Sequence, residues 1–285
     1  MKYTALSLFP EILDVYFKSS IMAKAVERGI IDYRSINIRD FALDKHHTCD
    51  DAPYGGGAGM LMLAEPLGRA LEAAGARRRS LDAGSGLCGR AGTAGADSNI
   101  PVTAEGRNRV IYLSPSGRPF SQAMACEFAA EAGLILLCGR YEGIDQRIID
   151  LYVDDEVSVG DYVLSSGEVA ALVLIDATYR LVGRVIKAES LKEESFSGGL
   201  LEYPQYTRPE VYDTIQVPEV LLSGHHENIR RWRLEKQVEK TLALRPDLMR
   251  RGLETGLFND ETCKIIQRYA YSGITEEDRE RNKIY

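Results

Sequence analysis

Cysteine is scarce and badly placed for cross-linking. The 285 residues hold five, Cys49, Cys88, Cys126, Cys138 and Cys263, an odd number with no CxxC pair among them. That argues against a disulfide framework and fits the reduced thiols of a cytoplasmic protein. Long hydrophobic runs are missing as well. The longest wholly apolar stretch, residues 169–175, is far short of a membrane span. The opening Met1-Lys2-Tyr3-Thr4 leads into a short apolar run broken by Pro10, which does not match a signal peptide. Basic excess is also absent. The formal net charge is −7, which argues against indiscriminate binding of nucleic acid. What remains is ordinary: 45% hydrophobic and 27% charged residues, enough apolar surface to bury a core and enough chain for two domains of moderate size. Disorder, collagen and stapled miniproteins are excluded as descriptions of the whole chain.

The first 75 residues alternate between strand and helix patterns. Residues 3–8 predict a strand. Ser19 or Ser20 predicts the start of a helix that Gly29 ends after Arg28. Residues 32–38 alternate like a second strand, and residues 64–74 have helical composition. Residues 75–109 differ: they hold seven Gly, six Ala, no aromatic and only four Leu, Ile or Val, the composition of a mobile loop. Order then resumes with a strand at 110–113, a helix from Ser121 through Glu131, a fully apolar strand at 134–137, a short helix at 144–151 and a strand at 156–159. Ser165 with Glu168 reads as a capping box ahead of an apolar helix at 169–175. Strands alternating with helices predict an α/β fold with a parallel sheet.

Residues 187–209 turn polar and aromatic and read as a linker. Helical patterns follow at 227–244, 246–251, 260–269 and 275–281, a small all-α domain. Charge is uneven here: between His225 and Arg251 there are eight Lys or Arg against four Asp or Glu, a local +4.

Two glycine-rich stretches mislead. Leu81-Asp82-Ala83-Gly84-Ser85-Gly86 imitates the nucleotide-binding turn of a Rossmann-type methyltransferase. Yet Arg77-Arg78-Arg79 precedes it where a buried strand is needed, and Ala91-Gly92-Thr93 follows where a helix must start. Gly55-Gly56-Gly57-Ala58-Gly59 has no Lys-Ser/Thr behind it, so it is not a P-loop. His46, His47, Cys49, Asp50 and Asp51 are metal-ligand types, but their spacing matches no standard site. No metal site is predicted, and a surface loop is expected there.

The informative glycines sit in three turns, each following a predicted strand: Leu113-Ser114-Pro115-Ser116-Gly117-Arg118, Cys138-Gly139-Arg140-Tyr141-Glu142-Gly143, and Val159-Gly160-Asp161-Tyr162-Val163-Leu164-Ser165-Ser166-Gly167-Glu168. Ligands of open α/β sheets bind beyond the carboxyl ends of strands, and glycine allows close backbone approach. Three such turns in succession predict one shared ligand.

These turns resemble those of the bacterial tRNA (guanine-N1)-methyltransferases, members of the trefoil-knotted SPOUT superfamily. The likeness extends to Leu8-Phe9-Pro10-Glu11, Pro53-Tyr54-Gly55-Gly56-Gly57-Ala58-Gly59-Met60, Ser195-Phe196, Gly199-Leu200-Leu201-Glu202, Tyr206-Thr207-Arg208-Pro209, Leu221-Leu222-Ser223-Gly224-His225 and Arg230-Arg231-Trp232-Arg233. It covers nearly all of the chain outside 75–109. It implies a knotted α/β domain over 1–186, a linker over 187–210 and a helical tRNA-binding domain over 211–285. It implies S-adenosylmethionine bound bent among the three turns, with its adenine against backbone groups of Leu113, Gly139, Tyr141, Val159, Tyr162 and Leu164. Tyr112, Ser114, Pro115, Gly117, Glu142, Gly143, Gly160, Asp161, Val163, Ser166 and Gly167 complete the expected cofactor set. It further implies a homodimer whose active sites are completed by the partner's linker and helical domain, a magnesium (Mg2+) association, and methylation of the guanine at position 37, just 3′ of the anticodon. Contacts to tRNA are expected from Gly55, Gly56, Gly57, Gly59, Glu202, His226, Arg230 and Arg233; Trp232 is expected in the core.

The chemistry makes its own demand. Guanine N1 carries a proton at neutral pH, so a base must remove it, and a cation or donor must meet the charge that grows on O6. The resemblance assigns the base to Glu194 and the O6 partner to Arg180. This chain departs from the family's pattern in having Glu194 where Asp is usual, 14 residues past Arg180 and one residue closer than usual. Ser116 stands where Gln is usual and Ser166 where Gly is common. Two other readings stay open. One is a SPOUT enzyme acting on a ribose or another base, which would not need the 55–59 loop. The other is a catalytically silent RNA-binding relative, favoured if Glu194 cannot reach N1.

Overall fold

The computed structural model of the chain describes residues 1–79, 108–186, 194–196 and 198–272. They fall into two compact units, Met1–Ile186 and Lys187–Tyr285. The Rossmann-like decoy at 81–89 and the helical pattern at 275–281 lie outside the described residues.

The first unit is built on a parallel sheet of β1 (Lys2–Ser7), β2 (Asp32–Asn37), β5 (Arg109–Pro119), β6 (Gly133–Cys138) and β7 (Asp155–Ser158), in the order β2-β1-β6-β5-β7. Its centre is dictated by β6, whose six residues GLILLC are all buried. Alternation along a strand sends successive side chains to opposite faces, and here both faces are covered. Leu134, Leu136 and Cys138 join a core with α1 (Glu11–Phe17), α2 (Ser20–Glu27), α4 (Gln122–Ala129) and α6 (Gly167–Tyr179). Ile135 and Leu137 join a second core with α3 (Ala64–Ala73) and α5 (Gln146–Tyr152). A small antiparallel hairpin, β3 (Asp50–Asp51) and β4 (Leu61–Met62), stands apart from the main sheet.

Three details correct the sequence reading. The strand expected at 110–113 continues to Pro119. It pairs with β7 up to Leu113↔Val157 and again at Arg118↔Val157, so residues 114–117 bulge out of a strand and do not end it. Arg109, expected in a loop, begins that strand. Its side chain is 12% exposed and reaches Asp155 at 2.5 Å, Glu127 at 2.6 Å and Glu131 at 3.2 Å. The expected capping box is not formed: the N-cap of α6 is Ser166, with no side-chain cap bond. Glu168 is fully buried and accepts from the Ser7 hydroxyl at 2.5 Å. A tertiary partner on β1 has taken the carboxylate that the local pattern assigned to the helix start.

The second unit contains α7 (Glu219–Leu222), α8 (His226–Leu244), α9 (Pro246–Glu254) and α10 (Asp260–Ser272), plus a two-residue hairpin, β8 (Val211–Tyr212) and β9 (Ile215–Gln216). Its core is Val238, Met249, Ile265 and Ile266 together with Leu200. Residues 199–202 fall within the expected linker, yet they are packed into this helical unit. Leu200 is buried, and a Cβ on Gly199 would come 2.5 Å from Leu257.

Candidate functional site

The second and third glycine turns leave β6 and β7 at their carboxyl ends, the first is the bulge at residues 114–117 within β5, and those strands are neighbours in the sheet. They enclose one cavity of about 330 Å³, the lower end of the range for small-molecule sites. Tyr112, Leu113, Ser114 and Pro115 line it from the first turn, Gly139, Tyr141, Glu142 and Gly143 from the second, and Val159, Gly160, Tyr162, Val163, Leu164, Ser166 and Gly167 from the third. Two expected residues do not. Gly117 lies behind the wall, where a Cβ would sit 2.3 Å from the Val157 nitrogen. Asp161 is exposed and outside the lining. Arg140, Ser158 and Ser165 line the cavity without having been expected.

Close backbone packing joins the turns. The Gly167 N–H donates to the Gly139 carbonyl at 2.8 Å, and a Cβ on Gly167 would meet the Gly139 nitrogen at 2.8 Å and Cys138 Cα at 2.9 Å. Gly139 lies against the Tyr112 ring, 2.9 Å from where its Cβ would be. The Tyr112 phenol is pushed up to about 12, by burial first and then by the charge of Glu156, so it stays neutral. Burial, then the neighbouring Glu168, hold the Cys138 thiol well above its ordinary range. This cysteine is therefore a packing residue and not a nucleophile. Behind the second turn, Arg140 stands over the Phe9 ring at 4.3 Å and pairs with Glu168 at 3.6 Å. The Leu8-Phe9-Pro10-Glu11 motif thus backs the cavity from β1. No feature of the sequence pairs Arg140 with Glu168, because only the sheet order brings them together.

The 55–59 glycines occupy the loop between β3 and β4. This hairpin is docked on the second turn: Met62 N–H donates to Gly143 O at 3.0 Å, and Glu142 N–H donates to Met60 O at 3.1 Å. Gly55, Gly56, Gly57 and Gly59 are exposed. A Cβ on Gly59 would come 2.3 Å from the Glu142 side chain, which puts this loop at the edge of the cavity. The carboxylate and imidazole stretch at 46–51 forms ordinary loop contacts instead, with Asp44 accepting from His46 N–H and Thr48 N–H. Among the described residues no three His, Cys, Asp or Glu side chains gather as metal ligands.

Arg180 caps the carboxyl end of α6 and is half-buried. Glu194 and Glu202 belong to the second unit, both half-buried. His226 opens α8 and is exposed. Arg230 is not a bare cation: it meets Glu227 at 2.7 Å and Glu261 at 2.8 Å. Arg231 pairs with Glu235 at 3.4 Å, and Arg233 lies over the Tyr203 ring at 4.8 Å. Glu227 and Glu235 are already counted in the local +4, and Glu261, from a different helix, lowers it by one more. Trp232 is half-buried against Tyr206, ring centroids 6.3 Å apart. Among the described residues no helix is long and apolar enough to cross a membrane.

Comparison with known proteins identifies the family. The chain matches the profile of the family described as tRNA (Guanine-1)-methyltransferase TrmD over residues 1–88 and 89–251. It is 56% identical to the tRNA (guanine-N(1)-)-methyltransferase of Treponema denticola over 94% of this chain and 99% of the relative. The protein of the same name from Treponema pallidum is 52% identical over 95% and 97%, and that of Borreliella burgdorferi 51% over 89% and 95%. The chain belongs to the tRNA (guanine-N1)-methyltransferase family and is a methyltransferase enzyme.

Proposed function

We propose that the protein transfers a methyl group from S-adenosylmethionine to N1 of guanine 37 in tRNA, within a homodimer of the cytoplasm. One observation carries this reading. The three-turn cavity and the 55–59 loop meet at Glu142, so a cofactor-sized pocket and a surface for an extruded base adjoin. The residues present fit the cofactor. The pocket is walled largely by backbone of glycine and small residues, which offers N–H and C=O groups to an adenine edge while Tyr112 and Val159 supply apolar contact.

Bound S-adenosylmethionine supplies a methyl group already activated by its positive sulfonium. This chain's residues supply the rest. Glu194 takes the proton from N1, and Arg180 donates to O6 as negative charge gathers there. Enzymes that act on a base draw it from its stack, and the exposed glycine loop gives it backbone to lie against.

A trefoil knot is supported by the path of the chain. After β7 at the sheet edge it returns past β5, so that Gly167 and α6 begin against the end of β6; such threading is rare in proteins. The homodimer is supported by apolar side chains left in solvent on the same unit: Val163 on the third turn, Val169 and Val173 one turn apart on α6, and Ile12 and Val15 on α1. A second copy would cover them. The test is mass-spectrometric mapping of methylated nucleosides after incubation with unmodified tRNA and S-adenosylmethionine. One methyl on N1 of guanine 37, lost when that guanine is replaced, is expected. A methyl on ribose or another base, or no transfer at all, would overturn the assignment.

A further inference from the structure

We infer that Thr241, on α8, is a positioning residue for the proton-accepting carboxylate of Glu194; the inference rests on the reading of Glu194 as the base. Its ground is a chain of contacts within the helical unit. The Ser195 hydroxyl, one residue past Glu194, accepts from the Glu202 N–H at 3.0 Å, and the Phe196 N–H donates to the Leu200 carbonyl at 3.0 Å. Residues 195–196 are thereby folded back on 200–202. That second segment is fastened to α8 at two points. Thr241 Oγ1 accepts from the Leu201 N–H at 2.8 Å, and Lys240 Nζ donates to the Glu202 carbonyl at 3.0 Å. Leu200, just before them, is buried in the core.

Thr241 is an unusual choice for its place. It is fully buried in the last turn of a helix. A threonine there has a restricted side chain, and its hydroxyl bonds back to the preceding turn, here to Gln237 O at 2.7 Å. Both features weaken a helix. A valine would pack equally well but would take the acceptor away from the Leu201 N–H. What the hydroxyl provides is an acceptor for a backbone N–H that leaves the neighbouring turn in one register. The same helix carries Arg230, Arg231 and Arg233 near its other end. The segment that would grip tRNA and the segment that holds the base are therefore one rigid element, and seating tRNA on α8 seats Glu194 with it.

A residue that acts this way should alter the chemical step and leave binding alone. Thr241→Val in the full-length protein is expected to slow single-turnover methylation about tenfold, the worth of roughly one lost hydrogen bond. Binding of tRNA and of S-adenosylhomocysteine should be unchanged, and Thr241→Ser should restore the rate. Ser195→Ala approaches the same turn from its other side and should show the same split, which covers the case of a valine variant that folds poorly. Glu194→Gln and the double variant complete the test. If Thr241 works through Glu194, adding Thr241→Val to Glu194→Gln slows nothing further. A wild-type rate for both Thr241→Val and Ser195→Ala overturns the inference while a slow Glu194→Gln leaves the base assignment standing. The full tenfold loss persisting in the double variant also overturns it, because Thr241 then acts on something else. A fast Glu194→Gln overturns the base assignment and this inference with it.

Discussion

Gly117 tests whether the first turn is clamped to the sheet as the structure describes. It does not line the cavity, and nothing about it concerns chemistry. A Cβ there would lie 2.3 Å from the backbone nitrogen of Val157 and 2.5 Å from the carbonyl carbon of Glu156. Ordinary contact between heavy atoms begins near about 3.5 Å, so Gly117→Ala requires the turn or β7 to move by about 1 Å. These are backbone atoms in a paired strand, so no flexible side chain can swing away. Overpacking of this kind costs about 1–3 kcal/mol. Taking the middle of that range, a unit of this size should lose about 4–8 °C of melting temperature. The movement also displaces Ser114 and Pro115 on one side or Ser158 and Val159 on the other, all of which line the cavity. Losing two backbone hydrogen bonds to the ligand, at about 1 kcal/mol each, weakens binding roughly thirtyfold. The assay is calorimetric titration with S-adenosylhomocysteine alongside differential scanning calorimetry. Gly183→Ala is the control, since a Cβ there meets nothing within 4 Å. If Gly117→Ala matched the control in both measurements, the turn would not be held against β7 and the packing argument would fail.

Four other outcomes follow from the same structure. Glu194→Gln should reduce single-turnover methylation by about 10²–10⁴ with cofactor and tRNA binding intact, as read by rapid quench and filter binding; if Glu202 is the base instead, the rate will hold. Mixing Glu194→Gln with Arg180→Ala, each inactive alone, should restore about a quarter of wild-type activity if each site joins Arg180 of one subunit to Glu194 of the other, because half the random dimers then carry one intact site; no recovery would mean that sites are not shared. Arg109→Met removes the guanidinium that meets Glu127, Glu131 and Asp155 while Arg118 stays on Asp155, and should destabilise the first unit by about 2 kcal/mol, visible in urea unfolding. Arg231→Ala and Arg233→Ala together should weaken tRNA binding and flatten its salt dependence, whereas Arg230→Ala, already met by two carboxylates, should change the slope less; equal slopes for all would remove α8 from the tRNA surface.

How far the sequence could be read depended on where each residue finds its partner. The strand at β6 was legible because residues 134–137 are a continuous apolar run too short for a helix, and the structure buries all six residues of the strand on both faces. The helix after Ser121 was legible because its cap is local, the Ser121 hydroxyl accepting from the Met124 N–H. Glu168 was misread for the opposite reason. Its spacing from Ser165 has the form of a cap, but its partner, Ser7, is 161 residues away in the chain. Arg109 was assigned to a loop by the composition around it, and the three carboxylates that bury it come from α4, the turn that follows α4, and β7. The β3–β4 hairpin has two residues in each strand, too few for any alternation to register, so the glycine loop announced itself without showing what carries it. Residues 199–202 look polar and broken, and only the hydroxyl of Thr241 and the core around Leu200 reveal that they belong to the helices.

The glycines pointed to the right region, but the letter alone conceals two different demands. Gly160 adopts a φ of +148°, which L side chains rarely do, so glycine is there for its own backbone conformation. Gly117 and Gly167 do not have positive φ; they are glycine because another backbone passes where a Cβ would be. A sequence cannot distinguish these, since the second depends on a strand or turn that arrives from elsewhere. The distinction has a consequence for this enzyme family. Substitution at Gly160 strains one turn, which can relax into the cavity it borders. Substitution at Gly117 or Gly167 pushes one turn against another, and the error passes to the whole pocket. Gly117, absent from the lining, therefore bears on the pocket's shape in the same way as Gly167, which is part of it.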